Sequence, residues 1–191
     1  MNKLLLSLSF LLCSCGYHFP SASHSIAVPY VKGDTSGLLT DFLVRELEMR
    51  GWMDYSGAAA YTLDAKIVRE DREPIGFRYD RKGTSDNRIS RLRPTESKCT
   101  VTVEVVLRNE NTGEIVFGPQ KVKADIDYDY VNFDTISDLA FTPAPGAPLV
   151  PVLAFSLGQL DSIEGAQRAA YKPLYQKLAV LIADGLEAAN L

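Results

Sequence analysis

The sequence predicts an α+β fold: a two-layer sandwich with two helices on one face of a mixed four-stranded sheet, in the order β-α-β-β-β-α. Three observations carry the prediction. Apolar residues recur at spacings of three and four in one segment near residue 40 and another near residue 175. Between them, several segments alternate apolar and polar residues, as strands with one buried face do. The outward side of that alternation is polar throughout, so only one sheet face calls for a helical cover. The segment 25–191 is of ordinary size for one domain.

Taken in order, Ile26, Val28 and Tyr30 alternate with Ala27, Pro29 and Val31 and predict a strand. Pro29 has no N–H to give a central strand, so this strand is expected at a sheet edge. Ser36 is a candidate cap for a helix whose apolar face is Leu38, Leu39, Phe42, Leu43 and Leu47, with Gly51 as its stop. Tyr61, Leu63, Ala65 and Ile67 face the core from a second strand, and Thr62, Asp64 and Lys66 face water. From Pro74 to Pro94 the periodicity breaks, and Gly76, Gly83, Ser85, Asp86 and Asn87 predict a long mobile loop. Val101, Val103, Val105 and Leu107 resume the alternation, residues 109–113 turn, and 115–128 return as a longer strand. There Val122, Ala124, Ile126 and Tyr128 are expected inside, and Lys121, Lys123, Asp125 and Asp127 outside. Residues 131–160 hold four prolines and no Lys or Arg, and are expected as a long apolar excursion rather than a regular element. Asp161 or Ser162 then caps a last helix with the stripe Ile163, Ala166, Ala170, Leu174, Leu178, Leu181 and Ile182. Pro173 inside it predicts a kink near Tyr171 or a second helix starting there.

The first 24 residues are of another kind. Lys3 and the apolar run Leu4 to Leu12 form a stretch too short to span a bilayer. It ends in Leu12-Cys13-Ser14-Cys15, which resembles the lipobox of bacterial lipoprotein precursors. The resemblance implies a signal peptide at 1–14, acylation of Cys15, a tether at 15–24, and attachment to a membrane through the lipid without crossing it. Gly16 after the cysteine, by likeness to proteobacterial lipoproteins, implies the outer membrane. Cys99 would then be left without a cysteine partner, either as a buried small residue at a strand start or as a reactive thiol.

Charge is unevenly spread. Arg78, Arg81, Lys82, Arg88, Arg91, Arg93 and Lys98 stand against Asp80, Asp86 and Glu96, so this stretch carries +4 in a chain of net −4. Guanidinium groups hold phosphate oxygens bidentately, which makes Arg78, Arg81, Arg88, Arg91 and Arg93, with Lys82 as a point charge, candidate phosphate ligands. The alternative is a solvated loop whose charges keep it soluble. Nucleic acid would fit the same charges, but a lipid-anchored envelope protein does not meet it.

Enzymatic machinery is sparse in this sequence. Both histidines, His18 and His24, lie in the tether, which removes the usual general base and histidine metal sites from the domain. GxSxG, a phosphate-cradling glycine loop and CxxC are absent. Asp125, Asp127 and Asp129 share a strand face, but one strand cannot wrap a calcium ion with six or more oxygens. We expect no enzyme, no cofactor and no metal.

Taken together, the lipobox, the stretch Cys15-Gly16-Tyr17-His18-Phe19, the strand Ile26-Ala27-Val28-Pro29-Tyr30 and the element order resemble the lipopolysaccharide-assembly lipoprotein family LptE. That resemblance implies a two-layer α/β protein held in the inner leaflet of the outer membrane. It implies an LptD-type β-barrel as partner, which the protein plugs, and lipopolysaccharide as cargo. The segments 74–98 and 131–160 depart from the pattern. The excursion 131–160 would pack on the barrel lumen or on lipid, or else cover the sheet's own edge or face. A module of another class, a peptidoglycan-synthase activator or a transport-auxiliary lipoprotein, is the runner-up. The tether of about ten residues, at roughly 3.3 to 3.6 Å each, argues against a deep reach across the periplasm.

Overall fold

The computed structural model describes residues 25–53, 59–82, 87–135, 140–148, 150–151 and 161–189. The signal segment 1–14, the tether 15–24 with Cys15, and residues 136–139, 149 and 152–160 of the excursion lie outside these. The elements are β1 (Ile26–Ala27), α1 (Leu38–Met49), β2 (Tyr61–Arg81), β3 (Arg88–Asn109), β4 (Ile115–Asp129), β5 (Ala140–Phe141), β6 (Val150–Pro151) and α2 (Ile163–Ala188). Strands β1 to β4 form one sheet in chain order, β1 parallel to β2 and the other pairs antiparallel. The fold class and the order β-α-β-β-β-α are those the sequence predicts, with β1 at the edge.

The alternation of the central strands is what buries their inner face. Leu63, Ala65, Val101, Val103, Val105, Leu107 and Ala124 are all buried, and α1 sets Leu39, Leu43 and Leu47 among them. From α2 come Ala166, Ala170, Leu174, Leu178, Ile182 and Leu186. On the outer face, Lys66 and Lys121 both lie opposite Glu104 in register, an arrangement of unlike charges that favours this pairing.

Helix ends are set by particular residues. The carboxylate of Asp34, not Ser36, satisfies the start of α1, accepting from the Thr40 N–H (2.9 Å) and the Thr40 hydroxyl (3.1 Å). Ser36 is the weaker partner, with the Leu38 N–H at 3.3 Å. Gly51 ends α1 at φ +73°, and paired bonds from Gly51 N–H to Glu48 O and Trp52 N–H to Leu47 O close a Schellman motif. Ser162 caps α2, accepting from the Gly165 N–H at 3.2 Å. Arg50, next to the first cap, ties the helices together through Glu46 on α1 and Asp184 and Glu187 on α2.

Several expectations are corrected. The first strand stops at Ala27: Tyr30 is exposed, whereas Val31, placed on the opposite side by the alternation, is fully buried. Pro173 does not start a second helix, since α2 runs through it; the Ala169 carbonyl that loses its donor sits on the exposed side. Ile163 and Leu181 leave the buried stripe, and Tyr175, Ala179 and Ala183 complete it because α2 packs on both the sheet and α1. The excursion contains a small regular piece, β5 paired with β6, made possible by a turn with an Ala147 N–H to Ala144 O bond.

The largest correction concerns the stretch 74–98, expected as a loop. Strands β2 and β3 continue through it, with Arg81 opposite Arg88. At about 3.3 Å per residue, strands of 21 and 22 residues reach roughly 70 Å, against about 39 Å for the 26 residues of α2. Register shifts at Ile67/Arg69 and around Gly76 break the alternation, which is why the sequence loses its period there. Cys99, expected at a strand start, lies within β3.

The core assignment predicts that Leu178→Ala lowers unfolding free energy by about 2–5 kcal/mol. Leu181→Ala, at a partly exposed site, should cost less than about 1 kcal/mol. Urea denaturation of the two variants checks this, and equal losses would contradict the packing.

Candidate functional site

The candidate site is the outer part of the β2–β3 ribbon, and a bulge determines how it leaves the core. Ile67 lies opposite Val103 and Arg69 opposite Thr102, so Val68 is an extra residue on β2. Beyond it, Glu70 and Arg72 rather than odd-numbered residues pair with the inward-facing Val101 and Cys99. They thereby meet α2: the Tyr171 hydroxyl donates to Glu70 and accepts from Arg72 at 3.1 Å, and the Gln167 amide donates to Tyr171 at 2.9 Å. Burial, and then the Glu70 bond, push the Tyr171 phenol above its ordinary range. At this foot of the ribbon a cavity of about 410 Å³ opens between Arg72, Pro74, Pro94, Tyr130 and Gln167.

Cys99 sits in the inner row and is buried. Desolvation raises its thiol, which disfavours the thiolate that a reactive cysteine needs. The buried-residue expectation for Cys99 therefore holds over the reactive one.

Farther out, the register sorts the predicted basic residues. Arg78 lies opposite Arg93, and Arg81 opposite Arg88. Like charges face each other in both pairs, an arrangement that is destabilising unless something compensates. For the first pair the compensation is Asp80. Its carboxylate is covered to 1% exposure, and it accepts from the Arg91 side chain (Nε at 2.7 Å, and also Nη2) and from the Arg81 N–H at 2.9 Å. Arg93 Nε stands 3.9 Å from the same carboxylate, and Arg93 Nη1 is 3.6 Å from Asp134. The Arg91 hydrogen bond is the main cause that holds the Asp80 carboxyl below the usual carboxylate range. Three β3 residues, 89–91, stand against Asp80 alone on β2, and this bulge turns Arg91 onto the carboxylate.

The six predicted basic residues are thus gathered on one ribbon, in two different settings. Arg91 and Arg93 are committed to Asp80 and Asp134. Arg78, Arg81, Lys82 and Arg88 are exposed, the first three with contacts of their own, and near the tip the Lys82 N–H bonds to Asn87 O at 3.0 Å. Sequence reasoning missed Asp80, which the count of charges had treated merely as a deduction. Its position two residues from Arg78 and eleven from Arg91 gives no signal until the strands are paired. Asp125, Asp127 and Asp129 lie on an exposed strand face, and no cluster suited to a metal ion occurs among the described residues. Among the same residues, no helix is long and apolar enough to cross a membrane.

No family model matches the chain, and no curated protein matches it. Among solved structures it is similar to a candidate lipoprotein from Caulobacter crescentus CB15, with 15% identity, 86% of this chain and 88% of that chain covered, and a TM-score of 0.48. It is also similar to a minor lipoprotein from Acinetobacter baumannii, with 15% identity, coverages of 87% and 91%, and a TM-score of 0.45. Neither likeness assigns a function to this chain.

The Asp80 contacts give a pH prediction with a definite sign. A depressed carboxylate stabilises the ribbon fully above its unfolded pKa, near 3.9, and that contribution is lost as pH falls through the lower folded value. Amide hydrogen exchange in residues 77–81 and 88–93 should accelerate relative to the core in that acid window. Asp80→Asn should show the faster exchange already at neutral pH; identical ribbon exchange in the variant and the parent would contradict the assignment.

Proposed function

We propose that this chain is a lipid-anchored envelope protein, held at the periplasmic face of the outer membrane through Cys15. There it acts without catalysis as an accessory subunit of the β-barrel that delivers lipopolysaccharide to the cell surface. The anchor reading rests on the Leu12-Cys13-Ser14-Cys15 pattern, and the LptE-like role on the resemblance of the mature start, the IAVPY segment and the element order. The structural observation that carries it is the cationic ribbon: it gathers Arg78, Arg81, Lys82, Arg88, Arg91 and Arg93 at one end of an otherwise acidic domain.

In this reading Arg81, Lys82 and Arg88 engage phosphates of lipid A or of the core sugars, and Arg78 flanks them. Arg91 and Arg93 serve differently, because through Asp80 they keep two like-charged strands paired, so that the tip keeps its shape. A phosphate that took Arg91 would have to displace its charge-assisted bond to the covered Asp80 carboxylate, which makes the exposed Arg88 at the ribbon's outer end the better candidate ligand.

The test is photocrosslinking in intact cells from a reactive residue placed at Arg88. A crosslink to a large outer-membrane β-barrel, one whose mobility changes on heating, is the expected result. Crosslinks confined to peptidoglycan synthases or inner-membrane transporters would overturn the assembly role and favour an activator or transport-auxiliary module. In a binding series, Arg88→Gln should weaken lipopolysaccharide binding about tenfold, as loss of one charge-assisted contact of about 1.5 kcal/mol implies, while Arg91→Gln should act chiefly by loosening the ribbon.

A further inference from the structure

The tip of the ribbon carries apolar side chains that neither the core nor the phosphate reading uses. Tyr79 lies opposite Leu92 and Phe77 opposite Pro94, so these four share one face. Phe77, Tyr79 and Leu92 are 54%, 51% and 54% exposed. Strand alternation continues that face into Arg81, which lies opposite Arg88. Within Phe77–Arg81 and Arg88–Pro94 the acidic residue is Asp80, which Arg91 covers, and Asp86 falls between the two segments in the sequence. The face therefore reads, from foot to tip, as an aromatic and aliphatic stripe ending in two guanidinium groups.

We propose that this end of the β2–β3 ribbon docks on an anionic phospholipid bilayer. Phe77, Tyr79 and Leu92 enter the boundary between headgroups and acyl chains, and Arg81 and Arg88 contact the lipid phosphates. The proposal rests on the envelope location argued above and adds a second membrane contact, made by the fold itself.

Three arguments favour a bilayer over a protein partner. Half-exposed Phe, Tyr and Leu offer roughly 300 Å² of apolar area, judged from the 150–250 Å² of an aromatic side chain. A standard protein interface needs about 800 Å² from each partner. An interfacial anchor needs only a few such groups beside cations. The residue types also match the layer: a tyrosine places its ring in the apolar zone and its hydroxyl among headgroups, and arginine stems snorkel to phosphates. Finally, residues 74–94 carry six basic side chains against Asp80 and Asp86; that +4, in a chain of net −4, leaves −8 elsewhere. An anionic surface thus attracts this end and repels the remainder, which orients the protein with the ribbon tip toward the membrane.

The test uses the full-length chain purified from membranes and reconstituted into vesicles, with Phe77→Trp as a local probe in a Trp52→Phe background. The parent has a single tryptophan, so the introduced indole reports alone. In phosphatidylcholine vesicles containing phosphatidylglycerol, its emission should shift to the blue and be quenched by brominated acyl chains. Adding Arg81→Gln and Arg88→Gln should lower the docked-to-undocked ratio by about 25-fold, from about 1 kcal/mol for each basic residue near an anionic surface. If the Trp52 background does not fold by circular dichroism, a bimane label on Leu92→Cys gives the same readout with Trp52 intact.

Water-like emission without quenching in phosphatidylglycerol vesicles overturns the proposal. A response confined to vesicles whose only anionic lipid is lipopolysaccharide also overturns it, while leaving the phosphate ligands of the assembly reading in place. Failure of the barrel crosslink with retained docking, conversely, removes the assembly role alone.

Discussion

The antiparallel pairing of β2 with β3 runs from Tyr61 opposite Asn109 to Arg81 opposite Arg88, and two unlike parts of the protein share it. In the first part, every second side chain is buried under α1 and α2, and the strands are held by the sheet's hydrophobic face. In the second, no residue of β2 from Asp71 to Tyr79 is buried, and β4 no longer accompanies β3 beyond Glu96. A two-stranded ribbon without a core is marginal in water. Whatever happens at its tip depends on the register set by the packed half.

Specific devices carry that register outward. The extra residue at Val68 turns Glu70 and Arg72 toward α2, where Tyr171, itself bonded by Gln167, holds them, so the ribbon is fastened where it leaves the core. Farther out, the covered carboxylate of Asp80 faces the side chains of Arg91 and Arg93 and so offsets part of the charge beside the Arg78–Arg93 pair. Charge-assisted contacts of this kind are stronger than ordinary surface pairs because the acceptor is shielded from water. The cost of gathering cations on one ribbon is thereby reduced.

The two faces of the outer ribbon suggest complementary roles. On one side Asp80 holds Arg91 and stands near Arg93, which maintains shape. The other side, with Phe77, Tyr79, Leu92, Arg81 and Arg88, has the polarity of an amphiphile. Lipopolysaccharide phosphates and a phospholipid surface both match it chemically, which is why the proposed experiments separate them by lipid composition. The foot of the ribbon is different again, a cavity lined by prolines and tyrosines that belongs to the junction with α2.

Much of the fold was legible in the sequence wherever side chains alternate against a continuous core: Leu63 and Ala65, Val101 to Leu107, Ala124, and the helical rows Leu39-Leu43-Leu47 and Leu174-Leu178-Ile182. Burial imposes those periods directly on composition, so they can be read without neighbours. The basic residues of the candidate site were legible as charges, since a charge count needs no geometry. Their arrangement was not. Bulges at Val68 and around Gly76 erase the period by which a strand is recognised, and glycines and a proline inside the ribbon imitate a loop. Asp80 became the partner of Arg91, and Asp34 the cap of α1, only because the backbone brought them within hydrogen-bond distance. By itself the sequence determined the layers, their order and the local excess of positive charge, because each follows from the periodicity or composition of single segments. Only the tertiary structure decided that the charged segment is a paired ribbon with an apolar face and a cationic tip, because register between strands is a property of two segments at once.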